Sequence, residues 1–383
     1  MQSFDYIISG GGCAGLSLAL RLIESGNFSD KKILLVDLSF NKSNDRTWCF
    51  WEKETGLFEP VVNRQWEKLW FYSEDFSTLK DIFPYRYKMI RGLDFYTYCL
   101  EIIRRQANIQ IKEARVEYIH SDEKESYVIL NGEKIYAQYI FNSVLFEKPF
   151  LNKKDHYLLQ HFKGWVVESR NKIFNPEEAV LMDFRVSQQQ GTAFVYIMPF
   201  SKTRALIEYT LFTKKLLKDP EYDVLLRAYM KNIPGLDGYE ILEEEFGVIP
   251  MTSHHFPARQ HHIFNIGIAG GQTRASTGYT FQFIQKQTAE IVKQLMMNKE
   301  PRISRFPGRF RFYDRLFLDV LTRSNKDSPY IFAYLFGFNP VKDIFDFLDA
   351  KSSLLQDFMV ISSLPKKPFI RAALREMFRV TPA

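Results

Sequence analysis

"FDYIISGGGCAGLSLALRLIESG" (residues 4–26) decides the fold. An apolar strand over 4–8 runs straight into Gly10-x-Gly12-x-x-Gly15. A helix follows, with Leu16, Ala19, Leu20 and Ile23 on one face. The next apolar stretch, "KKILLVD" (31–37), reads as a buried strand ending on Asp37. The dinucleotide fingerprint places such an acid roughly 20 residues beyond its glycines. Each residue type has a physical task. Gly10 permits the tight turn, Gly12 lets backbone approach a pyrophosphate, and Gly15 lets the helix lie close on the strand. The helix N-terminus turns free N–H groups and a positive dipole end toward the phosphates. Asp37 is placed to accept from a ribose hydroxyl. This order predicts a Rossmann-like domain. FAD and NAD both use the fingerprint. It stands at the extreme N-terminus and has no second copy in the chain, so a single dinucleotide, FAD, is the economical assignment.

Composition limits the rest. The 383 residues are 46% hydrophobic, enough for a sizeable core and more than one domain. Aromatic residues make up 16%, which predicts either a Phe-heavy core or an apolar, π-lined cavity. Cys13, Cys49 and Cys99 form no CxxC pair and are too few for a disulfide framework, as in a reduced cytoplasmic setting. Cys13 fills a small-residue slot in the glycine turn and carries no redox expectation. The strand beginning at residue 4 is read as leaving no signal peptide. The apolar run "YIFAYLFGF" (330–338) is far shorter than the roughly 20 residues that span a bilayer. A net charge of +6, without a Lys/Arg stripe or a recognition motif, argues against nucleic acid. It is compatible with an anionic membrane surface.

The expected fold class is α/β with an α+β insertion. A first FAD-binding part covers 1–150 and includes "MIRGLDFYTYCLEII" (89–103) as strand then helix, and "YIFNSV" (139–144) as a buried strand. "NKSNDRTWCFWEKETG" (41–56) reads as a polar loop whose Arg46 and Trp48 sit over the flavin or staple the loop down. An antiparallel substrate domain covers 151–250, with strands such as "HFKGWVVES", "TAFVYIMPF" and "RALIEYTLF" and one helix near 219–232. The Rossmann pattern returns over 251–300. There "IGIAGGQTRASTGY" (266–279) brings Gly270, Gly271 and Gly278 into a turn that feeds a long helix and offers N–H groups to the cofactor. Residues 301–383 read as helical. The basic tail "LPKKPFIRAALREMFRV" (364–380) is amphipathic and fits either a membrane surface or its own domain. "SHHFPARQHH" (253–262) reads as a polar loop rather than a metal site, and "LEEEF" (242–246) as a solvated strand edge.

Glu208 is the residue this pattern does not explain. It stands mid-strand in "FVYIMPFSKTRALIEYTLF" (194–212), sharing a face with Leu206, Thr210 and Phe212. Strand alternation leaves two readings, a solvent-facing Glu paired with Arg204 or a lysine, or an acid facing an apolar cavity.

The glycine fingerprint, "DRTWCFW" (45–51), "MDF" (182–184), "FVYIMPFSKTRALIEYT" (194–210), "GVIPM" (247–251) and "GGQTRASTGYTF" (270–281) together resemble lycopene β-cyclases of the bacterial and plant type. The likeness covers roughly residues 4–281, in the family's order. It implies acid-catalysed, redox-neutral closure of the ψ-ends of lycopene to β-ionone rings, giving β-carotene by way of γ-carotene. It also implies a need for reduced FAD, with NAD(P)H as the source of electrons. The family's acid maps onto Glu208. Many relatives carry a second acid directly after it. Here that position is Tyr209, which a regular strand turns the other way, so Asp183 becomes the candidate second acid or hydrogen-bond partner. A water-insoluble polyene implies peripheral attachment to the cytoplasmic side of a membrane, with the tail helix as the expected docking element. Two rivals stay open. A redox flavoenzyme such as a hydroxylase or isoprenoid reductase shares the fingerprint, although "IGIAGGQ" (266–272) lacks the Asp that hydroxylases carry there. A non-catalytic carotenoid or flavin binder would not need a buried acid.

Overall fold

The computed structural model describes residues 2–146, 151–152, 154–303, 305–323 and 327–380. Strands β1 (Ser3–Ser9), β2 (Ile33–Asp37), β8 (Ile109–Glu113), β11 (Glu133–Asn142) and β18 (Ile263–Asn265) form a parallel core in the order β18-β11-β1-β2-β8. A short β17 (Arg259–Gln260) borders β18, and the hairpin of β9 (Val116–Ser121) and β10 (Ser126–Leu130) extends β11. These strands are apolar because both faces are covered. Ile7, Leu34 and Val36 pack toward the β9–β10 side. Ile8 and Leu35 pack beneath α1 (Cys13–Glu24), α2 (Gly92–Ile103) and α4 (Phe281–Met296). The strand order reverses between β1 and β11, which puts the carboxyl end of β1 at the crevice where dinucleotides bind.

The second sheet runs β16-β12-β15-β14-β13-β5-β6. Its members are β5 (Lys68–Tyr72), β6 (Ser77–Asp81), β12 (Tyr157–Ser169), β13 (Glu178–Asp183), β14 (Thr192–Pro199), β15 (Arg204–Thr213) and β16 (Tyr239–Thr252). One face carries Leu158, Phe194, Leu206 and Phe212 toward the cofactor side, and the other carries Trp165, Val195, Ile207 and Tyr209 beneath α3 (Asp219–Met230). A small sheet of β3 (Thr47–Glu52), β7 (Arg86–Arg91) and β4 (Arg64–Trp66) lies between the two large ones.

Two sequence expectations change here. "TWCFWE" is a strand and not a loop: Trp48 pairs with Ile90 and Phe50 with Lys88. Its β-branched and aromatic residues favour a half-buried pleat, and the polar flanks hid that preference. The cut at residue 150 is not clean either. The β5–β6 hairpin, from inside the first segment, adds to the second sheet through parallel pairing of β5 with β13.

The C-terminal helices α5 (Gly308–Arg323), α6 (Ser328–Phe338), α7 (Val341–Leu348), α8 (Leu354–Ser363) and α9 (Lys366–Val380) wrap the cofactor side of the second sheet. No described helix is long and apolar enough to cross a membrane. Buried charges fasten these helices. Arg274 donates to Asp314 of α5 (Nε to Oδ1, 2.8 Å) and to the carbonyls of Phe347 and Leu348, so the 270s turn holds α5 and α7 at once. Glu376 of α9 meets His156 (2.7 Å) and Arg315 (2.6 Å), and Arg375 donates to Asp319 (Nε to Oδ2, 2.8 Å). Removing one partner of a buried pair strands the other. We therefore expect Arg274→Met to lose about 3–5 kcal/mol, read as a lowered denaturant midpoint.

Candidate active site

The glycine turn folds as its sequence requires. Gly10 has φ +104°, and a Cβ there would lie 2.1 Å from Ser143 Oγ. A Cβ on Gly15 would lie 1.9 Å from Gly10 O, so only glycine lets α1 sit on the end of β1. At Gly12 a Cβ would meet nothing within 4 Å. Gly12 is also the N-cap of α1. No side chain caps this helix and no acid occupies its first turn. The open space and the uncapped helix end make a cradle for an anion. Asp37, at the end of β2, accepts from Gly11 N–H (2.5 Å) and pairs with Lys42 (3.3 Å), which braces the turn from the ribose side.

From this cradle a cavity of about 360 Å³ runs to the second sheet. Gly12, Cys13, Ala14, Gly267 and Ile268 form one end, and Tyr196, Met198, Leu206 and Glu208 form the other. Arg46, Trp48, Gly278 and Phe281 line the wall between. Arg46 is paired with Asp45 (2.6 Å), and Trp48 packs edge-on to Phe95 and Tyr96, so Trp48 both faces the cavity and staples its strand. The glycines after β18 divide. Gly278 (φ +71°) lets Gln160 approach, because a Cβ would lie 2.1 Å from Gln160 Oε1. Gly270 and Gly271 do not face this cavity. Their N–H groups are bonded within the turn to Ile266 O (3.2 Å) and Ile268 O (2.9 Å), and helix α4 starts ten residues later, at Phe281. They shape the turn and have no free donor for a cofactor.

Glu208 opens on the cavity, on the face the strand pattern predicts. Arg204 does not pair with it; that guanidinium binds Glu243 (3.3 Å). The partner is Glu245, 7% exposed, from the edge strand β16. Register explains the meeting. Glu245 and Glu208 both stand directly opposite Gly164 of β12, one on each side. Because Gly164 has no side chain, the two carboxyl groups meet above it and share a hydrogen bond. A Cβ there would lie 3.1 Å from Glu245 Cγ and 3.2 Å from Glu245 Oε1.

Each acid also accepts from a threonine hydroxyl. Thr210 Oγ1 donates to Glu208 Oε1 (2.9 Å), and Thr47 Oγ1 donates to Glu245 Oε2 (2.6 Å). Glu245 Oε1 has no N–H or hydroxyl donor, so a proton held between the carboxyls is what completes it. Burial, then the charge and hydrogen bond of Glu245, push Glu208 well above the usual carboxyl range. Burial also raises Glu245, but Thr47 and Glu208 pull it back down. Both carboxyls are raised, Glu208 the further, so Glu208 is the member that more readily holds a proton. Burial and the two glutamates also raise Cys49 well above its usual value, so its thiol is neutral.

Asp183 is not part of this pair. It lies opposite Val195 on the α3 face, paired with Arg185 (2.7 Å) and accepting from Tyr229 Oη (2.8 Å). The bulge in β13 turns it away from the cavity, and its lone pairs are already used. The sequence reading missed Glu245 because three consecutive glutamates look solvated. The signal it overlooked is the alternation in "EEEFGVIPM", which sets Glu245 on the face of Met251, a buried residue.

The fold is shared with a class of flavin-dependent proteins of known structure. A geranylgeranyl bacteriochlorophyll reductase-like protein from Thermoplasma acidophilum superposes with a TM-score of 0.57 over 97% of this chain and 96% of that one, at 10% identity. A flavoprotein/dehydrogenase from Cytophaga hutchinsonii does so with 0.57 over 98% and 100%, at 13%. Within that class the chain belongs to the lycopene cyclase family, whose model, described as lycopene cyclase protein, matches residues 5–374. The lycopene beta-cyclase of Pantoea ananas is 27% identical over 72% of this chain and 71% of its own. A neoxanthin synthase of Solanum tuberosum is 28% identical over 72% of this chain but only 57% of its own length, so the chain spans little more than half of that plant relative.

Two variants test the geometry. A carboxyl protonated in the folded state above its unfolded pKa lowers stability as pH rises from that unfolded value toward the folded one, because the native state binds the extra proton. Glu208→Gln keeps a donor for Glu245 without the titration. Denaturant melts should therefore show the variant gaining on the parent protein as pH rises from 5 to 8. Gly164→Ala should remain folded but separate the carboxyls, flattening the parent protein's own pH dependence over the same range.

Proposed function

We propose that this chain is a lycopene β-cyclase that converts lycopene to β-carotene by way of γ-carotene, with reduced FAD bound and NAD(P)H as the electron source. The observation that carries the reading is the buried Glu208–Glu245 pair, with Glu208 opening on the inner end of a largely apolar cavity that reaches the dinucleotide cradle. Protonating an alkene needs an undissociated acid in contact with hydrocarbon. An ordinary Glu, with a pKa of about 4.3, is ionised at neutral pH, and this site holds Glu208 neutral. Gly10, Gly12, Gly15 and the first turn of α1 would hold the FAD pyrophosphate, with Asp37 at the ribose. Arg46, Trp48 and Gly278 would line the remaining cofactor wall. Reduced FAD, when bound, supplies a negative, electron-rich surface that stabilises nearby positive charge.

The chain's own residues account for the proton. Glu208 donates it to the terminal double bond, and an internal double bond attacks the cation to close the ring. Donation leaves two buried carboxylates in contact, a state tolerated only while the polyene carries the balancing positive charge. The repulsion between them is relieved when Glu208 recovers a proton from the new ring. Acid and base are thus one residue, and no electrons are exchanged. Tyr196 and Tyr87 stay neutral, because burial pushes both well above the usual phenol value. Their ring faces add cation–π stabilisation of roughly 0.5–2 kcal/mol each.

The test is pigment chromatography in a lycopene-accumulating bacterial host. Glu208→Gln should lose on the order of 10²–10⁴-fold in cyclisation while still retaining flavin. Glu245→Gln should keep some activity. With the neighbouring charge gone, Glu208 ionises at lower pH, so the alkaline limit of activity should move to lower pH. Untouched lycopene with the parent protein would reject the reading. Stoichiometric NAD(P)H consumption would favour a redox flavoenzyme instead.

A further inference from the structure

Helix α8 carries its apolar side outward. Leu354, Leu355, Phe358 and Met359 are 71, 69, 70 and 44% exposed. The covered side holds Val360 and the charged Asp357, which accepts from Arg309 Nε (2.8 Å) and from the Ser352 hydroxyl. Ser353 and Gln356 close a capping box at its start, and Asn339 Nδ2 donates to Ser363 Oγ (2.8 Å) at its end. Polar anchors thus fix the helix with its hydrocarbon facing out. Other C-terminal helices expose apolar side chains too. Phe338 at the end of α6 is 71% exposed, and Ile370 and Leu374 of α9 are 55 and 50% exposed.

Toward α9 the charge beside the patch has one sign, while on the α7 side Gln356 Nε2 donates to Asp343 Oδ1 (2.7 Å). No Asp or Glu occurs from Phe358 to Arg375, while Lys366, Lys367 and Arg371 are exposed at the α8–α9 junction. An outward apolar helix face with exposed cations at one end fits the headgroup and acyl boundary of an anionic bilayer. A second copy fits less well, since a two-fold contact through α8 would bring the like charges of both chains together.

We propose that α8 is an interfacial anchor that inserts Leu354, Leu355 and Phe358 into an anionic bilayer, with Lys366, Lys367 and Arg371 against the headgroups. Helix α9, the docking element expected from sequence, has its inner face committed to Glu376 and Ala372 and serves the rim. The inference rests on this surface and not on the cyclase reading. If both hold, the anchor lies close to the substrate cavity. Phe345 of α7, the helix beside α8, stacks on Trp51 (4.3 Å), and Trp51 packs on the cavity residue Tyr279 (4.8 Å).

The test is sedimentation of the full chain with vesicles of phosphatidylcholine alone or mixed with phosphatidylglycerol. The parent protein should favour the mixed vesicles. Leu355→Ser with Phe358→Ser should weaken binding to them by more than about tenfold. Lys366→Glu with Lys367→Glu should abolish the preference for phosphatidylglycerol. Phe358→Trp, which does not threaten the fold, should show a blue-shifted difference emission on mixed vesicles. The proposal is overturned if the parent protein ignores both vesicles or the serine pair binds as before. It is equally overturned if the difference emission of the Phe358→Trp variant does not move, or if equilibrium sedimentation shows a dimer that the serine pair dissolves.

Discussion

One proton held between two buried carboxyl groups constrains everything around it. Two carboxylates in contact in a low-dielectric site cannot both be ionised, so the pair keeps at least one proton. Each acid accepts from one threonine hydroxyl, so the difference between them comes from burial and neighbouring charge. Thr47 reaches Glu245 from the β3 strand, and Glu208 opens on the cavity. The pair needs three separate pieces of chain, β3, β15 and β16, and it needs Gly164 on β12 to leave the space between the acids. The acid is therefore a property of the sheet as much as of Glu208.

The same arrangement explains why two large sheets face each other across a small one. The Rossmann core brings an uncapped helix end and a glycine turn. The second sheet brings hydrocarbon and the acid pair. The β3–β7–β4 sheet lies between and supplies Trp48 to the cavity wall, Thr47 to Glu245, and Trp51 to the C-terminal helices. Its residues look like decoration in sequence and act as the joint between cofactor cradle and acid.

Much of the fold was legible because it rests on local rules. Glycine spacing, the alternation in 194–212 and the return of an apolar strand near 263 each follow from short-range chemistry, and the strands and helices formed where those patterns put them. Glu208 was legible because an acid amid Leu, Ile and Phe conflicts with its surroundings. Glu245 was hidden because its burial depends on strand register across β12, a long-range fact. Asp183 misled for the opposite reason, since a bulge reversed the face that simple alternation assigns. Gly270 and Gly271 misled because a glycine turn looks the same whether its N–H groups point at a ligand or close on the turn itself.

The β5–β6 hairpin has a further consequence, for how the chain reaches this state. It leaves the N-terminal half, adds to β13 more than a hundred residues onward, and is bracketed by β4 and β7 of the small sheet. The cofactor half is itself completed only by β18, after the whole second sheet has been traversed. The cofactor half cannot finish before the second sheet has been synthesised, and contacts of such long sequence separation form slowly. The half-built chain would expose unpaired β-strand edges during that interval. Early occupation of the dinucleotide cradle, which draws on both β1 and the turn after β18, would favour closing the two halves together.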